Sequence, residues 1–266
     1  MAMIAKCLVA LSASVGALVV GCATQQPAAA PAPAAETAPP TVQMGSAPDA
    51  APPVSVTLVP LKTCSGQTSV AADGLIDDLE DGNGQVALVA GRSGYWYSAA
   101  DPNGSTISGA GAFTPTDGGA AGSKKAARAT GKTATGDGAW GATFGFSFAP
   151  DNAAYDVSKY AGVSFWAKAG AKSTKSVRVK LGDANTRPEG KVCSSGCWNH
   201  FGQDLTLSEE WQQYTIKFAD LKQQAGWGDP RPATLAAQHA MSLDWSISAG
   251  QDFDIWIDDV AFIECK

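Results

Sequence analysis

Two acidic stretches are the first candidates for chemistry, since carboxylates serve as acids, bases and metal ligands. Residues 75–82 carry four acidic side chains, and residues 253–263 contain the pair Asp258 and Asp259. In the second stretch the apolar residues occupy odd positions before this pair and even positions after it. A strand that changes its apolar face in this way contains a β-bulge or is covered on both sides at the change. A carboxylate buried there is costly unless it is paired or bound to a metal, so we expect the two stretches to lie together.

Enzymatic chemistry has little support in the remaining residues. Glycosidases use a facing pair of carboxylates, but the acidic residues here occur in turns and in the first acidic stretch. The sequence has no Gly-x-Ser-x-Gly, His-Glu-x-x-His or nucleotide-binding glycine motif, and its only histidines are His200 and His239. We therefore predict that the protein is not an enzyme. A formal net charge of −6 also argues against a nucleic-acid partner.

The first 62 residues are predicted to precede the folded domain. Residues 1–21 combine a basic start at Lys6 with an apolar run up to Val20, as a signal peptide does. The end of this run, Leu-Val-Val-Gly-Cys, resembles a bacterial lipobox, which implies cleavage before Cys22 and lipidation of its sulfur. The alternative is an ordinary secretory signal with a chance cysteine. Ala23 follows the cysteine, and by the usual bacterial sorting pattern this implies the outer membrane.

Residues 22–62 are rich in proline and alanine. Such a composition buries no core, so this segment is predicted to be a disordered, lipid-anchored linker. A linker of this kind gives the folded part reach away from the membrane surface.

Cysteine usage predicts two disulfides in the mature chain. Once the signal peptide is removed and the lipobox cysteine is modified, four cysteines remain, an even number that is typical of exported domains. Three pairings are possible. We favour Cys193–Cys197, which closes a small loop, and Cys64–Cys265, which links the two ends of the domain. A rival interpretation makes Cys193, Cys197 and His200 zinc ligands, although no clear fourth ligand is near them in the sequence.

From residue 63 onwards, short strand-like runs alternate with clusters of glycine, asparagine, aspartate and serine. Roughly ten or more such runs, without a long amphipathic helix or a repeat of fixed period, predict an all-β sandwich or jelly roll over residues 63–266. Residues 201–207 and 211–218 are predicted to pair with each other across the short link between them.

Five short motifs in this region occur in a fixed order, at residues 76–82, 94–97, 155–167, 211–218 and 253–260. The ordered set resembles the galactose-binding-domain-like β-jelly rolls, and within them it is most similar to the family-11 type of carbohydrate-binding module. The resemblance covers about residues 70–264. It implies a structural calcium ion held by Glu80 and Asp258, with Asp78 as a further candidate ligand, and hard oxygen ligands of this kind suit calcium.

The resemblance also implies a glycan site on the concave face of the jelly roll. Sugar binding needs flat apolar faces that stack on pyranose rings, and a few planar hydrogen-bonding groups. Residues 182–188, 198–201 and 223–227 supply both types. The candidate ligand-binding residues are Asp183, Arg187, Trp198, His200 and Trp227, with Trp96 or Tyr97 at an edge.

The sequence therefore predicts a non-catalytic carbohydrate-binding lipoprotein of the bacterial cell envelope, anchored in the outer membrane and facing either the cell surface or the periplasm. Its expected partners are a polysaccharide and, through its lipid, the membrane. The alternative is a structural or adhesive envelope lipoprotein that binds an envelope protein rather than sugar. Exposure of Trp198 and Trp227 bears on this choice, because burial of both would remove the stacking surface.

Overall fold

The computed structural model describes residues 58–109, 113–229, 231–232 and 234–266. The signal peptide, the lipidation site Cys22 and the linker up to residue 57 lie outside the described residues, so they stay predictions. Within the described ranges, no helix is both long enough and apolar enough to cross a membrane.

Twelve strands form in the described part of the chain. They are β1 (Thr68–Asp77), β2 (Trp96–Ala100), β3 (Thr106–Ile107), β4 (Thr116–Asp117), β5 (Lys125–Lys132), β6 (Ala142–Ser147), β7 (Gly162–Ala169), β8 (Ser176–Asp183), β9 (Phe201–Thr206), β10 (Gln212–Lys217), β11 (Ala240–Ile247) and β12 (Asp252–Cys265).

The strands form two antiparallel sheets that pack on one another, which confirms the predicted all-β jelly roll. The first sheet has the order β10-β7-β12-β5-β3, with β1 beside β12 and β4 beside β5. The second has the order β2-β6-β11-β8-β9. Alternate residues of each strand face the shared core, such as Phe144 and Phe146 of β6. Trp245 of β11 meets Phe165 of β7 edge to face, with ring centroids 5.2 Å apart, and so joins the two sheets.

Strand β12 is the organising element of the first sheet. It pairs with β7 along one edge, and along the other edge first with β5 and then with β1. The register with β7 shifts between Asp258 and Ala261, and Asp259 has a left-handed φ of 48°. The predicted β-bulge is therefore confirmed, and it lies where the strand changes its partner.

Both predicted disulfides are present. Cys64 is bonded to Cys265, with Cα atoms 5.3 Å apart, so the two ends of the domain are joined beside the β1–β12 ladder. Cys193 is bonded to Cys197 across a loop that leads to the second sheet. The rival zinc interpretation is wrong, because neither of its two cysteines keeps a free thiolate to donate to a metal.

The predicted pairing of residues 201–207 with 211–218 is also wrong. Strand β9 pairs with β8, whereas β10 pairs with β7 in the opposite sheet. The physical reason is the reach of the link between them. About five extended residues span roughly 16 Å, which exceeds the ~10 Å between packed sheets. A short link therefore permits a crossing as well as a hairpin.

Candidate functional site

A cleft of about 700 Å³ lies on the face of the second sheet that is turned away from the core. The sheet supplies its floor, and the loops that follow β8 and β10 supply much of its wall. Its lining residues are Tyr97, Ala99, Trp140, Thr143, Arg178, Lys180, Arg187, Cys197, Trp198, Asn199, His200, Asp204, Gln224, Trp227, Asp244, Ser246, Ile247 and Ser248.

One row of residues crosses all five strands of the floor in register. It runs Tyr97, Gly145, Asp244, Lys180 and Gly202, one residue from each strand. The two glycines leave space for the long side chains between them. A Cβ atom at Gly145 would lie 2.9 Å from Oδ1 of Asp244, and one at Gly202 would lie 3.1 Å from Cγ of Lys180. Because these two positions are glycines, the side chains of Tyr97, Asp244 and Lys180 have room to face the cleft together.

The tyrosine of this row is held by the aspartate. The Tyr97 hydroxyl donates a hydrogen bond to Oδ1 of Asp244. Burial, followed by the charge of Asp244, raises the pKa of Tyr97, so its hydroxyl stays protonated at neutral pH. Oδ2 of Asp244 accepts a second hydrogen bond, from the Ser242 hydroxyl at 3.0 Å. Asp244 is therefore fixed as an acceptor by two neutral donors.

A second row, one pleat further along, is also polar. Arg178 forms an ion pair with Asp204 at 3.1 Å, and both come from paired positions of β8 and β9. Beside them, the Ser246 hydroxyl donates to Oγ1 of Thr143 at 3.1 Å. The floor thus offers hydroxyl, carboxylate and guanidinium groups on one surface, which are the group types that bind sugar hydroxyls.

The loop after β8 is tied down by Asp183. Its Oδ1 accepts the Thr186 hydroxyl at 2.8 Å, and its Oδ2 accepts the Ala236 amide at 2.8 Å. The Asp183 side chain is buried and does not line the cleft. The predicted ligand-binding role of Asp183 is therefore corrected to a positioning role, because its oxygens are turned into the loop rather than towards the cleft.

Arg187 occupies the wall of the cleft, as predicted. Its guanidinium donates to Ser242 Oγ at 3.0 Å and to Asn152 Oδ1 at 3.1 Å, and it pairs with Glu189 at 3.3 Å. It also lies 5.0 Å from the centre of the Trp198 ring. The arginine is held on several sides, so its guanidinium plane has a fixed position beside Trp198.

His200 lies buried behind Arg187 and Lys180. Its Nδ1 is 2.8 Å from Oγ1 of Thr186, and its ring meets Trp198 edge to face at 5.8 Å. Burial, and then the positive charges of Lys180 and Arg187, hold the pKa of His200 well below its ordinary value. His200 is therefore a neutral hydrogen-bonding group at physiological pH.

Three tryptophans form the rim of the cleft. The exposed fractions are 51% for Trp140, 49% for Trp198 and 42% for Trp227. Trp227 is held by Asn199, which donates to the Trp227 carbonyl at 2.7 Å, while the Trp198 amide donates to the carbonyl of Thr186 at 2.7 Å. Exposed indole faces around a polar floor are the arrangement that stacks on sugar rings.

Trp96 does not belong to this site, and its predicted ligand-binding role is corrected. It is only 4% exposed, stacks on Phe113 at 5.1 Å and on Trp245 at 5.8 Å, and donates through Nε1 to Asp77 at 2.7 Å. Its neighbour Tyr97, the other residue considered for this edge, is the one that faces the cleft. Neighbouring residues of a strand point to opposite faces, so one of the two had to be in the core.

Sequence reasoning missed Trp140 and the charged floor. Trp140 lies in a turn between Gly138 and Gly141, which both have positive φ. Such a turn holds the indole out of the sheet, and the glycines around it were the available signal. Arg178 and Lys180 were recognisable as outward residues of an alternating strand, but not as neighbours of Asp204 and Asp244 across the sheet.

The two acidic stretches meet at one turn, as predicted. Glu80 Oε1 accepts the Ser123 hydroxyl at 2.8 Å and the backbone amides of residues 124 and 125 at 2.7 and 2.8 Å. Asp258 Oδ2 accepts the Ala120 amide of the same turn at 2.7 Å. Asp78 lies beside them and accepts the Glu80 amide at 3.2 Å.

This arrangement offers a cation two carboxylates and only oxygen donors. Burial, and to a lesser extent Asp259, raises the pKa of Asp258 to about 6, which shows that its negative charge is poorly compensated. Across the described residues, no group of three or more histidine, cysteine, aspartate or glutamate side chains is placed to hold a metal ion. The donor set fits a hard cation, with backbone carbonyls or water as further ligands.

The family model described as carbohydrate binding domain 30 matches residues 89–264, which is more than half of the chain. The chain belongs to this family. Membership assigns the domain to the non-catalytic carbohydrate-binding modules. The family match covers most of the described sandwich, including every strand that contributes to the cleft floor.

Two of the solved structures that match this chain are carbohydrate-binding modules. One is the family 11 carbohydrate-binding module from Clostridium thermocellum in complex with a β-1,3-1,4-mixed-linked tetrasaccharide, at 17% identity and TM-score 0.50, covering 73% of this chain and 98% of that one. The other is the family 30 carbohydrate-binding module of a cellulosomal cellulase of the same organism, at 15% identity and TM-score 0.46, covering 64% and 91%. The comparison with curated proteins gave no match.

Proposed function

We propose that the domain binds a glycan chain in the cleft of the second sheet, with no chemistry of its own. The observation that carries the proposal is the combination of three exposed tryptophans with a floor of fixed polar groups, in a chain of the carbohydrate binding domain 30 family. The indoles cover apolar faces of the sugar rings, and the floor accepts and donates hydrogen bonds to their hydroxyls. The complex of the family 11 module with a mixed-linked tetrasaccharide supports a polysaccharide as the ligand class.

The geometry of the cleft assigns different roles in binding to the tryptophans of its rim and to the polar groups of its floor. Trp198 and Trp227 come from neighbouring loops on one wall, so they are expected to define where the chain lies. Tyr97, Asp244 and Arg187 are held by protein hydrogen bonds before any ligand arrives. A floor that is already ordered loses little conformational entropy on binding, which favours affinity.

A glycan array with the full-length protein tests this proposal. Trp198→Ala and Trp227→Ala are each expected to weaken binding at least about fivefold, since an aromatic contact contributes about 1 kcal/mol beyond the area it buries. The matched control is Tyr95→Ala, which removes an exposed aromatic residue that does not line the cleft. An array without any signal, together with capture of an envelope protein that depends on the same tryptophans, would favour the structural or adhesive alternative.

We further propose that the mature protein is anchored in the outer membrane by lipid on Cys22, with residues 22–62 as its tether. The lipobox-like sequence and the proline- and alanine-rich composition support this proposal. Labelled fatty acid is expected to enter the wild-type protein and not Cys22→Ser. Cell fractionation is expected to find the wild type in the outer membrane and Cys22→Ser in the soluble fraction. Equal fractionation of the two would contradict the anchor.

A calcium ion is the third part of the proposal, held by Glu80 and Asp258 with Asp78 close by. Bound calcium would supply positive charge beside the buried Asp258 carboxylate, and would tie the first acidic stretch to β12. At a calcium concentration about one hundred times the dissociation constant, binding stabilises the fold by about 2.7 kcal/mol. A chelator is therefore expected to lower the melting temperature by several degrees, and added calcium to restore it.

Two variants decide whether any chelator effect arises at this position. Glu80→Gln is expected to melt at the same temperature with and without chelator. Glu209→Gln, which changes an exposed glutamate paired with Lys175, is expected to keep the wild-type response. A wild-type melting temperature that the chelator leaves unchanged would contradict the calcium proposal.

A further inference from the structure

Charged side chains are concentrated in the cleft of this acidic protein. The chain has a formal net charge of −6, yet the cleft lining contains three cations and two acids. The cations are Arg178, Lys180 and Arg187, and the acids are Asp204 and Asp244. His200 adds no positive charge, because it is neutral. Arg178 and Arg187 are paired with the protein carboxylates Asp204 and Glu189, so the question is what compensates the third cation.

Both acids of the cleft already have partners. Asp204 is paired with Arg178 at 3.1 Å. The two oxygens of Asp244 accept the hydroxyls of Tyr97 and Ser242, the second at 3.0 Å. Among the described residues, Asp244 therefore has two hydroxyl partners and no ion pair within 4.0 Å.

Lys180 is the cation without such a partner. Among the described residues, its Nζ atom makes no hydrogen bond and no ion pair within 4.0 Å, although Asp244 is its cross-strand neighbour. It is half-buried in the middle of the floor. Burial is the main cause of a lowered pKa for Lys180; Asp244 opposes it, and Arg178 and Arg187 lower the pKa further. In the described part of the protein, the ammonium group thus has no carboxylate within ion-pair distance.

Two features keep this ammonium group accessible. Gly202 lies beside it in the floor, and a Cβ atom there would come within 3.1 Å of Lys180 Cγ and 3.0 Å of Arg178 Nε. The Arg187 guanidinium is held on the wall by Ser242 and Asn152. Its N–H groups also bond to Tyr97 and Glu189, so Arg187 adds positive charge beside the floor, and the Lys180 ammonium group is the donor that can meet a ligand.

We propose that the cleft binds a glycan that carries carboxylate groups, a chain containing uronic acid residues, and that Lys180 receives the carboxylate with Arg187 beside it. This inference rests on the proposed glycan-binding function and specifies the substrate class of that site. A neutral sugar could donate and accept hydrogen bonds here, but it would leave the Lys180 charge uncompensated. A sugar carboxylate supplies both the negative charge and the acceptor atoms, and charge-assisted hydrogen bonds of this kind are the stronger ones.

Isothermal titration of the full-length protein tests the inference with three kinds of probe. The first is a set of oligouronates made of galacturonate, glucuronate, mannuronate or guluronate. The second is the same oligosaccharides after reduction of their carboxyl groups to neutral alcohols. The third is a sulfated galactan oligosaccharide, which separates carboxylate recognition from attraction to any anionic sugar. At least one oligouronate is expected to bind about tenfold or more tightly than its reduced counterpart, and the affinity is expected to fall as salt is raised.

Matched variants test whether the preference for oligouronates depends on Lys180. Lys180→Met is expected to weaken oligouronate binding about tenfold or more and to weaken binding of the reduced oligosaccharide much less, so that the ratio of the two affinities falls. Lys180→Arg keeps the charge and is expected to restore much of the loss. Lys132→Met removes an exposed lysine of the first sheet, with the same change in net charge, and is expected to bind like the wild type.

The outcomes separate the inference from the proposed function. Binding of neutral glycans alone, or oligouronate binding that Lys180→Met leaves unchanged, would overturn the inference and leave the glycan-binding function standing. Preference for the sulfated probe over every oligouronate would overturn the carboxylate assignment. If no glycan of any kind bound, the proposed function itself would fail, and the inference with it.

Discussion

The disulfide between Cys64 and Cys265 is expected to dominate the stability of the domain. The two cysteines are 201 residues apart, whereas the other disulfide joins residues only 4 apart. In the chain-entropy description, a crosslink stabilises by restricting the unfolded chain, and it does so more for a longer loop. The long loop corresponds to about 5 kcal/mol and the short loop to about 2 kcal/mol.

Paired cysteine-to-serine variants measure this difference. Cys64→Ser with Cys265→Ser is expected to lower the free energy of unfolding by about 5 kcal/mol, and Cys193→Ser with Cys197→Ser by about 2 kcal/mol. Cys265 is exposed and Cys64 is half-buried, so the serines at the first site add little cost of their own. Equilibrium unfolding in urea, followed by tryptophan fluorescence, gives both values.

The slope of the urea transition provides an independent check. An unfolded chain that is no longer crosslinked across its whole length exposes more surface, so the first variant is expected to show the larger slope. The second variant should keep a slope near that of the wild type. Equal losses of stability in the two variants, or a larger loss from the short loop, would refute the reasoning from loop length.

Two further predictions concern the tryptophans and the buried histidine. Trp96→Ala is expected to lower the free energy of unfolding by about 3–5 kcal/mol because it leaves a cavity in the core. Trp198→Ala is expected to change it by less than about 0.5 kcal/mol because Trp198 is half-exposed. Similar losses in the two variants would contradict the two placements. Because the folded protein keeps His200 neutral, this histidine stabilises the fold fully above pH 6.5. Below pH 6.5 the unfolded chain takes up a proton at this histidine and the folded protein does not. The stabilisation is therefore lost as the pH falls towards the lowered folded-state pKa. Between pH 6.5 and 5 the wild type should therefore lose up to about 2 kcal/mol more than His200→Gln, as measured by urea unfolding at each pH. The comparison with the variant is needed because burial raises the pKa of Asp77 to about 7, so protonation of Asp77 stabilises the fold as the pH falls. Parallel plots of unfolding free energy against pH for the two proteins would contradict the histidine assignment.

Much of the fold could be predicted because its signals are local. The change of apolar face around Asp258 and Asp259 is a period-2 pattern within one strand, so it indicated the bulge without knowledge of any partner. Cys64 and Cys265 could be paired because cysteine counting left few choices and the two acidic stretches were expected to meet.

The parts that could not be predicted depend on tertiary partners. In β2, Trp96 and Tyr97 are adjacent aromatic residues, and alternation alone does not say which of them faces the core. The grouping of charged residues on the cleft floor could not be predicted for a similar reason. Lys180 and Asp244 are 64 positions apart in the sequence, and only the β8–β11 register brings them together. Asp183 has the chemistry of a ligand-binding residue, but the Ala236 amide that satisfies it comes from a distant loop.

The position of β12 in the chain has a consequence for biosynthesis. This strand contacts β1, β5 and β7, which are all made before it. While the ribosome is still synthesising the middle of the chain, strands β1, β5 and β7 lack the central strand β12 with which each of them pairs. The first sheet can therefore be completed only after residues 252–265 have been synthesised.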